Sequence, residues 1–239
     1  MGEGIPPLPV SCLAEYVTRG GRSPESILRP YKFRDRGEGL ARIVFRPPVV
    51  NVIRKYYKLD SNSGVFDSAI ADWQKKADAT DKRSLRAKLH SNIVALNSFR
   101  RHYQDRDFKV LPIHRISCQV GPLVFTALPD LWVKVKDREI LIKIGFGKKN
   151  RSYVDIVLAV MRRAALVHGH RIRQHNAVYL NVRTGEELAG RFAYRRVALT
   201  LAGAAREIAE TWPKVARLEA GISPAVTGTG QFRAPAGPI

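Results

Sequence analysis

Lys148, Lys149, Asn150 and Arg151 stand in a row, and Gly145 and Gly147 precede them. Glycine lets a backbone approach a ligand closely. Lysines beside a helix start, where N–H groups lack helical partners, suit a phosphate. Arg162 and Arg163 follow, then Arg171 and Arg173. The series reads as a groove that tracks phosphates, indifferent to base sequence and sensitive to salt. The charge agrees: Lys and Arg number 41 against 21 Asp and Glu, a formal +20 over 239 residues. Such a chain attracts polyanions over long range. DNA or RNA is the first partner expected and an anionic membrane surface the second. The cations run along the whole chain rather than in a tail, which points to a basic face on a folded body. No recognition-helix motif or row of stacking aromatics stands out, so base-specific readout has no support. His168 and His170 flank Gly169 at an expected helix end, where a protonated imidazole complements the helix dipole and binds phosphate.

The elements that must position these residues fall into two textures. Ser23-Pro24 reads as an N-cap followed by proline at the first helical position. Val65, Phe66, Ile70, Trp73 and Ala77 recur at helical spacing, as do Leu85, Leu89, Ile93, Leu96, Phe99 and Tyr103. Residues 12–110 are therefore expected to be mainly helical. Further on, 115–128 is extended and broken by Gly121-Pro122. Val133 and Val135 alternate with Lys134 and Lys136, Asp137-Arg138 turns, and Ile140, Ile142 and Ile144 alternate on the way back. Tyr153 to Val167 carries a helical pattern ending at Gly169, and Val178, Leu180 and Val182 alternate in a strand. Strand, helix, strand implies a right-handed crossover and a parallel neighbour. A last helix spans about 197–213. The expected fold is α/β (α+β), a mixed sheet flanked by helices, with residues 111–220 as the sheet core of one domain over 12–220. Residues 1–11 and the Gly- and Pro-rich 221–239 are expected to be a flexible N-terminus and a disordered tail.

Leu128-Pro129-Asp130 stands just ahead of that hairpin, and Ile142-Lys143-Ile144-Gly145-Phe146-Gly147 closes it. In the order of elements over about 80–185, the chain resembles the PD-(D/E)XK nuclease superfamily. It is most similar to the RecB-like branch, which includes the CRISPR-associated RecB-like nucleases. The resemblance implies a sheet of the restriction-endonuclease-like type and phosphodiester cleavage helped by Mg²⁺ or Mn²⁺, which activates water and neutralises charge at phosphorus. Asp130 would be the first metal ligand. An acid on the return strand would be the second, with a lysine two positions on, brought to the same face by strand alternation. This chain reads Lys143 and Gly145 at those places. Lys143 puts a positive charge where a ligand belongs, and Gly145 supplies no side chain. Glu139 shares the parity of 143 but lies about 13 Å back along the strand. Asp155, on the first turn of the next helix, is the candidate for a migrated acid, or else an acid favourably placed at a helix N-terminus; Lys148 or Lys149 could replace the lysine. RecB-like nucleases often carry a metal-binding histidine on the helix before the sheet, which makes His90 a candidate metal ligand. They also tend to carry glutamine and tyrosine on the helix after the site, and no glutamine lies within YVDIVLAVMRRAALVHG.

Other chemistry is excluded by pattern. There is no Walker loop, no dinucleotide fingerprint and no Gly-x-Ser-x-Gly elbow. Cys12 and Cys118 are too few for a disulfide scaffold or a four-cysteine zinc site. No run of about 18 apolar residues spans a membrane, and no secretory signal opens the chain, so a cytoplasmic setting is expected. The expected function is a nucleic-acid-binding module with a nuclease-like fold and an inactivated or rearranged site, working with protein partners in a nucleic-acid-processing assembly. The alternatives are a divalent-metal nuclease using Asp130 with a migrated carboxylate, and a basic structural scaffold.

Overall fold

The computed structural model describes residues 4–33, 47–59, 62–147 and 149–216. Their elements run β1 (Leu8–Pro9), α1 (Val10–Val17), α2 (Pro24–Lys32), α3 (Pro47–Lys58), α4 (Gly64–Asp78), α5 (Arg83–Tyr103), β2 (Lys109–Val110), β3 (Ile116–Val120), β4 (Leu123–Ala127), β5 (Leu131–Val135), β6 (Arg138–Gly145), α6 (Arg151–Val167), β7 (Ala177–Asn181), β8 (Glu187–Ala189) and α7 (Tyr194–Thr211). The fold is mixed α/β, with helices gathered in the first half as expected.

Local chemistry starts and stops these elements. The Ser23 side chain accepts the Ser26 N–H at 3.2 Å and caps α2, with Pro24 at the first helical position. Asn150 caps α6 by accepting the Tyr153 N–H at 2.7 Å. Gly169, at φ +85°, releases the chain from α6. Gly121, at φ +56°, turns β3 into β4, and a Cβ there would lie 3.0 Å from the Ala202 carbonyl of α7.

Five strands form the main sheet in the order β2-β5-β6-β7-β8. β5 and β6 are antiparallel, with Leu131 opposite Ile142 and Val135 opposite Arg138. The hairpin loop is therefore Lys136-Asp137, one residue earlier than the sequence pattern places it, and Lys136 takes φ +53°. β7 returns parallel to β6 after α6, pairing Lys143 with Tyr179 and Gly145 with Asn181, so the expected parallel neighbour is present. A second sheet of three strands has the order β1-β4-β3. β1 and the start of α1 lie in a stretch expected to be flexible. Leu8 is buried and β1 pairs in parallel with β4, which holds the prolines in an extended approach to α1. Residues 221–239 lie outside the described residues.

Side-chain parity divides the core across the main sheet. Leu131, Val133, Ile142, Ile144 and Leu180 pack with Ile53, Phe66, Trp73, Leu96 and Phe99 of α3, α4 and α5. Trp132, Leu141 and Tyr179 face the other way, towards Leu13, Val157, Met161 and Leu201 of α1, α6 and α7. Lys143 and Gly145 share the parity of Leu141 and so face α6.

Candidate functional site

The chain leaves β4 at Ala127, crosses Leu128 and Pro129, and enters β5 through Asp130. The Asp130 N–H donates to the Ile142 carbonyl at 2.8 Å, which fixes the aspartate beside β6. Arg54 of α3 clamps the same turn, donating through Nε to the Asp130 carbonyl at 2.8 Å. Asp130 Oδ2 accepts the Ile144 N–H at 2.7 Å, and Oδ1 accepts Lys143 Nζ at 3.1 Å. Lys143 also donates to the Leu128 carbonyl at 3.2 Å. Both side chains are largely withdrawn from water, at 15 % exposure for Asp130 and 26 % for Lys143. An ion pair thus occupies the place where the resemblance would put a metal between two carboxylates. That donor set does not suit Mg²⁺ or Mn²⁺, which need hard oxygen ligands and no ammonium beside them. Among the described residues, no group of three His, Cys, Asp or Glu side chains is arranged to hold a metal ion.

The other acid candidate is engaged elsewhere. Asp155 is buried in α6, with Oδ2 accepting Arg151 Nε at 3.0 Å. Its Oδ1 lies 2.8 Å from Arg151 Nη2 without hydrogen-bond alignment, so that contact is ionic only. Arg151 in turn donates to the Ala189 carbonyl. The pair ties α6 to β8, the arrangement of a structural ion pair rather than a migrated ligand. His90 is exposed on α5. Gly145 has its own reason: a Cβ there would fall 2.0 Å from the Tyr179 hydroxyl, so the tyrosine of β7 fills the space above this position.

The structure does not gather the expected basic residues into one groove. Lys149, 28 % exposed, lies 3.8 Å from Glu15 of α1 and 4.4 Å above the Tyr153 ring. It lines a cavity of about 200 Å³ with Lys143, Arg115, Ser11, Thr126 and Tyr179. Arg162, Arg171 and Arg173 line a different and more open groove of about 690 Å³ at the far end of β6 and α6, together with Arg138, Asp137 and Glu139. Arg162 is held there by donating to the Ile172 carbonyl at 2.8 Å. Arg138, Arg171 and Arg173 are exposed, with no ion pair or side-chain hydrogen bond among the described residues. Arg163 stands apart from both, 5.7 Å from the Tyr194 ring of α7. Lys148 lies outside the described residues.

The histidines at the end of α6 serve the fold. His168 Nε2 accepts the Ser117 N–H at 3.2 Å. His170 packs edge-on against Trp132, with Nδ1 3.6 Å from Glu139 Oε2. Glu139 also accepts Trp132 Nε1 at 3.0 Å, so its carboxylate is turned to Trp132 and His170. Burial pushes the Cys118 thiol up to about 11 and the Cys12 thiol higher still, so neither is a nucleophile near neutral pH.

Sequence reasoning missed Arg54, Arg115, Arg138 and Tyr179. Tyr179 reaches the site through the parallel pairing of β7 with β6, which a linear pattern does not carry, and Arg115 stands one residue ahead of β3. Arg138 sat in view, but as a turn residue. No family model, curated protein or solved structure matches this chain. Among the described residues, no helix is long and apolar enough to cross a membrane.

Proposed function

We propose that this chain is a nucleic-acid-binding module of restriction-endonuclease-like build, in which an ion pair has taken the place of the metal site. The β5-β6-α6-β7 order, a hairpin led by Pro129-Asp130 followed by a helix and a parallel strand, supports the finer fold reading. The observation that carries the binding reading is the arginine groove. Arg138, Arg171 and Arg173 present exposed guanidinium groups, unengaged among the described residues, in one groove with Arg162. Guanidinium matches phosphate oxygens in planar, bidentate fashion and is weakly hydrated, so it suits contact with a phosphate backbone. The overall +20 adds long-range attraction. The Lys143–Asp130 pair supports binding without cleavage, and the module would serve an assembly whose chemistry is done elsewhere.

The test is affinity for fluorescein-labelled DNA and RNA across a salt series. Each phosphate contact contributes about 0.9 to the slope of log K against log salt on duplex DNA and about 0.7 on single strands. Replacing Arg138, Arg171 and Arg173 together by serine is expected to flatten the slope by about 2 to 3 units. An unchanged slope would contradict the groove's role.

A further inference from the structure

The cavity between α1, β4, β6 and α6 has properties that the arginine groove lacks. Three cations, Arg115, Lys143 and Lys149, line about 200 Å³. At about 30 Å³ per water, that is room for about six waters. It accommodates one phosphate group. Hydroxyl-bearing Ser11, Thr126, Tyr153 and Tyr179 complete the polar lining.

Lys143 and Arg115 keep donors for a ligand. Lys143 Nζ has three hydrogens, and the Asp130 carboxylate and the Leu128 carbonyl take two. Among the described residues none takes the third, which is left for a ligand. Asp130 has the Ile144 N–H as well, so it keeps a partner when Lys143 turns part of its charge to an anion. Arg115 is exposed, with no ion pair or side-chain hydrogen bond among the described residues. Val10 and Ser11 open α1 onto the same space, which adds the positive end of that helix. Glu15 and Asp130 stand behind Lys149 and Lys143 and hold the lysines in place.

We infer that this cavity binds a phosphomonoester, the dianionic phosphate found at a nucleic-acid end or on a small phosphorylated molecule. The chemistry distinguishes it from a diester-tracking surface. A monoester carries about −1.5 to −2 at pH 7, against −1 for a diester, and it projects three oxygens into one pocket. Three cations lining one small space suit the former. This inference goes beyond backbone binding, because a phosphate ion tests it without any nucleic acid.

The experiment has two arms on the full chain. In the first, inorganic phosphate is titrated at constant ionic strength by calorimetry, with chloride as the control anion. In the second, 5′-phosphorylated, 3′-phosphorylated and hydroxyl-ended oligonucleotides of one sequence are compared at one salt concentration. Saturable phosphate binding is expected, weakened about tenfold by Arg115→Ala, the loss of one charge-assisted contact. Arg115 is exposed and makes no ion pair or side-chain hydrogen bond among the described residues, so this variant should leave stability unchanged. A phosphorylated end binding about tenfold tighter than a hydroxyl end, with the preference lost in Arg115→Ala, would assign the site to nucleic-acid ends. Phosphate binding with no end preference would assign it to a small phosphomonoester. No saturable phosphate binding, together with equal affinity for all ends, would overturn the inference. The serine variant of the arginine groove should keep phosphate binding, so failure of that groove and failure of this cavity read out separately.

Discussion

Replacing Lys143 by methionine removes the ammonium but keeps a long apolar stem, and it tests whether the Asp130 pair is real. The charges stand 3.1 Å apart. At an effective dielectric of about 20, their attraction is about 5 kcal/mol before any offset. Desolvation of both groups and the lost freedom of the lysine chain oppose it. Exposed pairs are worth about 0–1 kcal/mol, and breaking a buried one costs about 3–5. With 15 % and 26 % exposure this pair lies between, so Lys143→Met should cost about 2 kcal/mol. Asp130→Asn keeps an oxygen for the Ile144 N–H and removes the charge. Urea unfolding followed by tryptophan fluorescence of both single variants and the double variant closes the cycle. A coupling energy of about 1–2 kcal/mol is expected. A coupling below about 0.3 kcal/mol, the level of independent sites, would refute the pair and reopen the site to a metal.

Gly145→Ala should destabilise by about 2–3 kcal/mol, since the new Cβ would meet the buried Tyr179 ring, and Tyr179→Leu should restore part of it in urea unfolding. Lys136→Gly should stabilise by about 0.5–1 kcal/mol by relieving the left-handed turn residue, measured as a rise in the urea midpoint without a change in m. Cys118, pushed up to about 11 by burial, should be about one part in a thousand thiolate at pH 8 and react with a disulfide reagent only after unfolding. Its raised folded value also sets a sign. The stability it contributes is complete below the unfolded thiol value of about 8.5 and is lost as pH rises towards 11, so the urea midpoint should fall across that window.

What the sequence made legible was whatever is local. The Ser23-Pro24 cap, the helices carrying Trp73 and Phe99, and the Gly121 turn follow from spacing and turn chemistry alone. The parallel pairing of β6 with β7 was legible too, because a strand, a helix and a strand in sequence leave few topologies. The hairpin loop was placed one residue late because a positive-φ lysine carries no turn signature of the kind glycine or asparagine would give. At the candidate site, Asp130 and the departures at Lys143 and Gly145 were readable. Their pairing was not: nothing in the linear order says that the lysine turns onto the aspartate or that Tyr179 covers Gly145. The basic residues were read as one groove because α6 links them in sequence. Residues at its two ends face different spaces, since eleven residues of helix, from Arg151 to Arg162, separate them by about 16 Å.

The measurement that bears most directly on the account is incubation of the full chain with end-labelled single- and double-stranded DNA and RNA at low salt. Mg²⁺ or Mn²⁺ is present, and binding and cleavage are read from the same samples beside Asp130→Ala. The account predicts tight, salt-sensitive binding with the labelled strands left intact. Metal-dependent cleavage that disappears in Asp130→Ala would contradict it and show that the Lys143–Asp130 pair opens to admit a metal.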